Sequence, residues 1–493
     1  MSVLSALAKA EAVRSGRAQP TAAVRHVHLA ERPLVAVPLR LAGEAAAPLA
    51  IMIGTAPGDQ NVLIVPQPRD RVLRLRFIEQ LADMVLPYLA SFLSDVEELT
   101  SKAGETYTRA LDAPQLWTPN PGGQNFLKLL GRSVRFHRTD GDNPVPPAVP
   151  LLGRWLTWFG DRAEHPGSAV LPALTSVLAA HWASGQSALE DGNLAALLGW
   201  IDPPRGLTGA EAAALAEDPL RSPPAGPATD PGFDNEELAP LIAAYNAAAE
   251  DTARSVAAER LERSLRGQLE PTWRLMWRGI ELLRALPEGA SVDTRWTDDR
   301  GAFSYFAAEL AEGTPQSRRD PAVRAVRKLL QRERALEALQ AQCAFDDPLL
   351  MLEHRVSGAA FRGTVVHSEP ERLDRSGARP KLRPHIHIRT SDPFAAVLGE
   401  ELTCVERPKQ SGVVVEIDGD TLVLELSGGM GRKLVPEPGS VPDTEDELGF
   451  ARFTPTPFTG QLNLPAREDT PWTHGGPPPE YAPDATDDGE DPL

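Results

Sequence analysis

Basic side chains crowd positions 318–334, which hold seven arginines and lysines but only two acids. Arg324, Arg327 and Lys328 follow the three- and four-residue spacing that places side chains on one face of a helix. Such a face suits phosphate groups, because each phosphate that a cation neutralises releases counterions. The alternative is a solvated face whose cations pair with acids elsewhere in the chain.

A second basic stretch follows at 372–389, where the sequence from Arg383 to Arg389 alternates with period two. Alternation of this kind indicates a strand with Arg383, His385, His387 and Arg389 on one face, and two isoleucines and a proline on the other. Basic strand faces of small barrels carry single-stranded nucleic acid. His385 and His387 share a face as metal ligands would, but the sequence identifies no third ligand, so we predict neither metal nor cofactor.

Catalytic signatures are missing from the sequence. The run Gly428–Gly431 looks like a phosphate cradle, but the stretch lacks the spacing of a P-loop. Asp140–Asn143 resembles the start of a calcium loop without its twelfth-position glutamate. The metalloprotease, hydrolase-elbow and dinucleotide-binding motifs are also missing. We therefore expect a protein without catalytic residues, and an enzyme of unrecognised family is the remaining alternative.

A strand that presents Arg383, His385, His387 and Arg389 on one face must belong to a sheet. The pattern of residues 351–435 predicts a small OB-like or SH3-like β-barrel of four or five short strands. Asp418-Gly419 lies between two apolar runs and predicts a type I′ hairpin turn. A two-residue loop at this point pairs Val415 with Leu422 and turns both into the core.

Two further barrel elements follow from local patterns. Residues 361–367 predict another strand, and a short helix is predicted at 392–405. Asp392 is the expected N-cap of that helix, since Pro393 suits the first helical position.

Apolar runs at 34–41, 49–53 and 62–65 predict a small β meander near the N-terminus. Pro38 favours an edge position for the first of these strands, because proline cannot donate to a ladder. Helical periodicity dominates the following region.

Long helices are predicted before the barrel. We expect one helix to end near Leu269 and another to follow Pro271, because proline disrupts helix interiors. A turn-rich break is expected at 293–301, and the last long helix begins at Pro321.

The fold class expected is α+β and multidomain. The predicted units are an N-terminal β meander (1–70), a helical region (71–217), a proline-rich linker (218–234), long helices (235–350), the barrel (351–435) and a disordered, acidic, proline-rich tail (436–493).

Charge, cysteine content and hydropathy indicate where in the cell the protein is expected. The 493 residues carry a formal net charge of −18, of which −11 lies in the last sixty residues. Two cysteines provide no disulfide framework, and no long apolar run could span a membrane, so a cytoplasmic location is expected. Forty-three arginines against seven lysines are associated with GC-rich bacterial genomes.

The helix at 321–343 and the hairpin at 412–426 together resemble the stalk helices and nucleic-acid-binding barrel inserted in Upf-type superfamily 1 helicases. No Walker A motif or motor is present, so the resemblance implies an accessory partner of a separately encoded helicase. Our first hypothesis is a DNA- or RNA-binding accessory protein of a bacterial DNA-processing or defence system. The alternative is a protein–protein scaffold with a structural barrel, which basic patches paired with acids would favour.

Overall fold

The computed structural model describes residues 3–101, 104–219 and 221–456, and this part of the chain has an α+β fold. A helical body surrounds a mixed sheet, and a closed β-barrel follows it. The acidic tail beyond residue 456, including the stretch 477–493 expected to be disordered, lies outside the described residues. Within the described ranges, no helix is long and apolar enough to cross a membrane.

The α-helices are α1 (Val3–Ser15), α2 (Arg71–Ser91), α3 (Pro121–Val134), α4 (Ala148–Ala163), α5 (Leu174–His181), α6 (Leu194–Ile201), α7 (Gly209–Glu217), α8 (Pro231–Phe233), α9 (Ala239–Ala247), α10 (Asp251–Arg284), α11 (Val292–Ala311), α12 (Ala322–Asp346) and α13 (Pro348–Val356). A 3-10 turn, Glu190–Gly192, precedes α6, and a π-helical turn, Asp234–Leu238, joins α8 to α9.

The strands are β1 (Gln19–Pro20), β2 (Leu34–Arg40), β3 (Pro48–Gly54), β4 (Asn61–Ile64), β5 (Val96–Thr100), β6 (Thr106–Ala110), β7 (Leu116–Trp117), β8 (Trp182–Ala183), β9 (Ala360–Glu369), β10 (Leu373–Asp374), β11 (Lys381–Leu382), β12 (His385–Arg389), β13 (Glu401–Cys404), β14 (Ser411–Asp418), β15 (Thr421–Ser427) and β16 (Glu447–Ala451).

The predicted N-terminal meander is present as β2, β3 and β4, and β7 adds a parallel strand beside β2. The edge position expected for β2 is therefore wrong for the strand as a whole. It holds only locally, since β7 pairs with Leu34 and Val35 and stops short of Pro38. The hairpin of β5 and β6 was not predicted, and it lies in the region 71–217 that was expected to be helical.

Both faces of this sheet are buried. Leu34 and Ile51 pack with α2, α3, α4 and α11 in one core, whereas Val35 and Met52 pack with α5, α6 and α10 in a second core. Burial on both sides explains why β2 and β3 are continuous apolar runs rather than alternating ones. The sheet is the middle layer of the body, and residues 1–70 share their cores with the helices that follow.

Two predicted helix breaks do not occur. α10 runs through Pro271, because Leu269 and Trp273 on either side of the proline are buried in the second core. α11 runs through the expected turn at 293–301, since the fully buried Asp299 ties it to α4. The Asp299 carboxylate accepts hydrogen bonds from Arg162 Nε at 2.7 Å and from the backbone N–H of Ala169 at 2.7 Å.

The barrel closes with the antiparallel strand order β12-β15-β14-β13-β16-β9. Six strands replace the expected four or five, and the sixth, β16, comes from the segment assigned to the tail. The inward positions of Ile386 and Ile388 are confirmed, since neither residue is exposed. The short helix expected at 392–405 is wrong, because that segment contains β13 and the Asp392 carboxylate instead accepts hydrogen bonds from Arg355.

The predicted register of the hairpin between β14 and β15 is also wrong. Asp418 pairs with Thr421, so Gly419 and Asp420 form the loop, and only Gly419 has positive φ, at 59°. This matches a turn with glycine in its first central position rather than a type I′ turn. A bulge at Val415 then shifts the ladder and leaves that side chain 42% exposed.

Asp347 joins the body to the barrel-bearing helices. Its unexposed carboxylate accepts hydrogen bonds from the backbone N–H of Ala23 at 2.7 Å and of Leu349 at 2.9 Å, the latter capping α13. It also lies 3.2 Å from Nε2 of His26. One side chain thus fixes the N-terminal segment against the junction of α12 and α13.

Replacing Asp347 with Asn should lower the free energy of unfolding by about 3 kcal/mol, because it leaves His26 buried without its charged partner. Urea denaturation at pH 7 measures this change. The control Asp202→Asn removes an exposed carboxylate that also pairs with arginine, and it should cost less than about 1 kcal/mol. Equal losses in the two variants would contradict a central role for Asp347.

Candidate functional site

The basic side chains predicted on α12 are largely compensated by acids. Arg324 Nε lies 3.4 Å and Lys328 Nζ 2.5 Å from the carboxylate of Asp320. Arg332 reaches α4 and lies 2.6 Å from Glu164. Among the described residues Arg327 has no ion pair, and it is exposed. The cluster is therefore real, but most of its charge is engaged within the chain.

The apolar side of the same helix is exposed. Val323 is 53% exposed, Val326 44%, Leu329 57% and Leu336 45%. α12 buries residues only near its C-terminal end, at 341–344. Surface helices normally turn their apolar stripe toward the core. The N-terminal half of α12 instead leaves its apolar side chains in water, and positions 321–327 are exposed all round.

Acids also engage the cations of the predicted strand row. Arg383 and His385 both approach the carboxylate of Glu425 on β15, at 3.9 Å and 3.4 Å. Arg372 contacts the same carboxylate at 2.8 Å. Arg389, at the other end of the strand, lies 4.0 Å from Asp420. Glu425 thus neutralises much of the charge on this face.

His387 belongs to a different group from His385. Its ring lies against that of His367 on β9, with centroids 5.1 Å apart, and Nε2 of His367 lies 3.5 Å from the carboxylate of Glu369. Potential ligand atoms of His367, Glu369 and His387 all lie within 4.8 Å of one another. The structure therefore does not group His385 with His387 and instead brings two candidate ligands, His367 and Glu369 of β9, to His387.

The two predicted basic surfaces lie on different elements. Arg332 of α12 contacts Glu164 at the C-terminal end of α4, whereas the barrel follows the other end of α12 through α13. Nineteen helical residues separate Arg327 from Asp346, which corresponds to about 28 Å.

The loop between β10 and β11 carries cations that the site prediction omitted. Arg375, Arg379 and Lys381 are exposed, and none of them has a salt bridge in the described part of the chain. A second cationic surface therefore lies on this short hairpin beside the strand row.

A buried ionisable cluster surrounds Asp347. Burial alone would lower the pKa of His26, but the hydrogen bond to Asp347 and the neighbouring Cys343 thiol outweigh burial and raise it to about 9. His181 accepts a hydrogen bond from the backbone N–H of His26, and burial lowers its pKa to about 4. Thiol, imidazole and carboxylate are the groups of nucleophilic catalysis. The Asp347 carboxylate accepts hydrogen bonds from the backbone N–H groups of Ala23 and Leu349, so this cluster links the N-terminal segment to the junction of α12 and α13.

Comparison with known proteins finds no matching protein family, no matching curated protein and no matching solved structure. The resemblance to a helicase insert stays a hypothesis, and functional inference rests on the surfaces themselves.

The free energy of unfolding should decrease as the pH rises from about 6.5 through about 9. His26 has a raised pKa in the folded state, so its contribution is fully present below the ordinary value of about 6.5 and is lost as the folded-state group deprotonates. The pKa of His181 is lowered to about 4, so its protonation affects stability only at lower pH. The decrease between about pH 6.5 and 9 is therefore assigned to His26.

Urea denaturation across this pH range measures the loss, and a His26→Gln variant should show a smaller decrease than wild type. An unchanged decrease in His26→Gln would refute the assignment.

Proposed function

We propose that the chain is a non-catalytic scaffold that assembles through α12. The observation that carries the proposal is the exposed apolar side of α12, formed by Val323, Val326, Leu329 and Leu336, beside cations that already pair with acids. Burying exposed apolar area is the main driving force of association. A helix that keeps this side in water gains most by packing against another helix.

A second copy of α12, running antiparallel, is the partner that fits. The stripe from Val323 to Leu336 is about 20 Å long, enough for about three turns of helix-on-helix contact. Glu333 and Glu337 are exposed near its C-terminal end. In an antiparallel pair they come opposite the turn that carries Arg327, so opposite charges meet across a two-fold axis.

The contact is small, so we expect dimerisation in the micromolar range. Sedimentation of the wild-type chain between about 1 and 200 μM should show a monomer–dimer equilibrium. The double variant Val326→Glu with Leu329→Glu should remain monomeric, because it places four like charges in one interface. Leu189→Glu alters a leucine outside α12 that is even more exposed, and this variant should dimerise as wild type does.

Charge exchange provides a sharper test of the antiparallel arrangement. Glu333→Arg alone should weaken dimerisation, and adding Arg327→Glu should restore it, since the pair is then present with reversed sign. A wild-type chain that stays monomeric at 200 μM would refute the proposal. It would also be refuted if the combined variant, Glu333→Arg with Arg327→Glu, did not regain dimerisation.

The nucleic-acid-binding accessory role is the second candidate function. It is supported by the exposed Arg375, Arg379 and Lys381 on the hairpin of β10 and β11, together with exposed Arg327. Cations without acid partners are the ones able to release counterions from phosphates. Under this candidate the partners are DNA or RNA and a separately encoded helicase, as the resemblance implies.

Replacing Arg375, Arg379 and Lys381 together with Ala should weaken binding to single-stranded DNA and RNA about equally for all sequences. It should also reduce the salt dependence by roughly one unit of slope per lost contact. Fluorescence anisotropy at two salt concentrations measures both effects. The control replaces Arg324, Lys328 and Arg332, which changes the charge equally but removes cations that already have acid partners. Absence of wild-type binding at about 50 mM salt would refute this candidate.

A further inference from the structure

A β-bulge on β9 turns His367 outward. His387 pairs with His367, whereas the next residue, Ile388, pairs with Val365, so Val366 is an extra residue on β9. Val365 is fully buried in the barrel core. Strict alternation would also point His367 inward, but the bulge moves it to the outer face, where His387 lies. Bulges re-aim side chains in this way and are frequent beside functional sites.

The three side chains at this point converge from two strands. Glu369 follows His367 by two residues and lies on the same outer face, 3.5 Å from its Nε2. His387 contributes the second imidazole from β12, with the two rings nearly perpendicular at 80°. Strand pairing therefore fixes the positions of all three residues relative to one another.

The separations suit a metal ion. Ligand atoms about 2.0–2.2 Å from a tetrahedral zinc ion lie about 3.3–3.6 Å apart. The distance between His367 and Glu369 already meets this requirement, and all three ligand atoms lie within 4.8 Å. Rotation of the exposed His367 and Glu369 side chains would close the remaining gap without movement of the strands.

We propose that His367, Glu369 and His387 form a binding site for a divalent transition-metal ion of the zinc class on the outer face of the barrel. Two imidazole nitrogens and one carboxylate oxygen favour zinc, copper or nickel over magnesium and calcium, which prefer all-oxygen sites. His367 is 58% and Glu369 47% exposed in their side chains, so water completes the coordination.

His385 is a natural control for this site. It lies on the same strand as His387 and directly opposite Glu369 in the ladder. Its Nε2 lies 3.4 Å from Glu425, on the other side of β12. A site built by His367, Glu369 and His387 does not need His385, whereas unspecific binding to surface histidines would use both.

The binding experiment uses the full chain without an affinity tag, stripped of metal. Titration calorimetry with Zn²⁺ should show one equivalent bound with micromolar affinity. Removing a ligand through His367→Ala, His387→Ala or Glu369→Gln should lower the affinity at least about tenfold, since even outer partners of metal ligands have effects of this size. His385→Ala should bind as wild type does.

Thermal unfolding provides a second readout, because an ion that binds only the folded state raises its midpoint. Zn²⁺ should raise the midpoint of wild type and of His385→Ala but not of His367→Ala. Without metal, the unfolding midpoints of wild type and the variants should agree. If a histidine variant misfolds, Glu369→Gln replaces it as the variant that lacks one ligand. Wild-type affinity in both His367→Ala and His387→Ala, or displacement of zinc by equimolar Ca²⁺, would overturn the proposal.

Discussion

The buried carboxylate of Asp347 is the constraint on which the arrangement of the molecule depends. It caps α13, holds the backbone of Ala23 and balances the charge of His26. Asp346, its neighbour, accepts a hydrogen bond from the backbone N–H of Ser291 at 2.8 Å. A buried carboxylate without its donors would be strongly unfavourable, so Asp347 requires the N-terminal segment and the start of α13 together. Asp346 adds a partly buried contact to the start of α11.

The sequence allowed the barrel to be recognised but not its registers. Period-two alternation correctly placed Ile386 and Ile388 inward. Bulges at Val366 and Val415 then each add one residue, and a shift of one residue moves following side chains to the other face. Such insertions depend on how two strands meet across the barrel, so the strand sequence alone does not reveal them. For this reason His367 and Glu369 could not be recognised as partners of His387.

Two features of the body were not predicted: the central position of the sheet, which the sequence does indicate, and the orientation of α12, which it does not. The uninterrupted apolar runs of β2 and β3 are typical of strands covered on both faces, and they could have placed the sheet at the centre of the helices. The orientation of α12 had no such signal. Its basic and apolar stripes were visible, but Glu164, more than 150 positions away, is what engages Arg332. Only tertiary structure reveals such a pairing, and it leaves the apolar side in water.

The proposed assembly determines where the two barrels would lie. An antiparallel pair centred between Leu329 and Leu330 places the Asp347 joint of each copy about 26 Å from the two-fold axis, since seventeen residues rise about 1.5 Å each. The two joints therefore lie roughly 50 Å apart, at opposite ends of the paired helices. The proposed metal site of His367, Glu369 and His387 lies on the outer face of the barrel, which follows the joint in the chain. Because the joint is buried and hydrogen-bonded, it connects each barrel firmly to the end of its helix, and the dimer would place one barrel at each end of the paired helices.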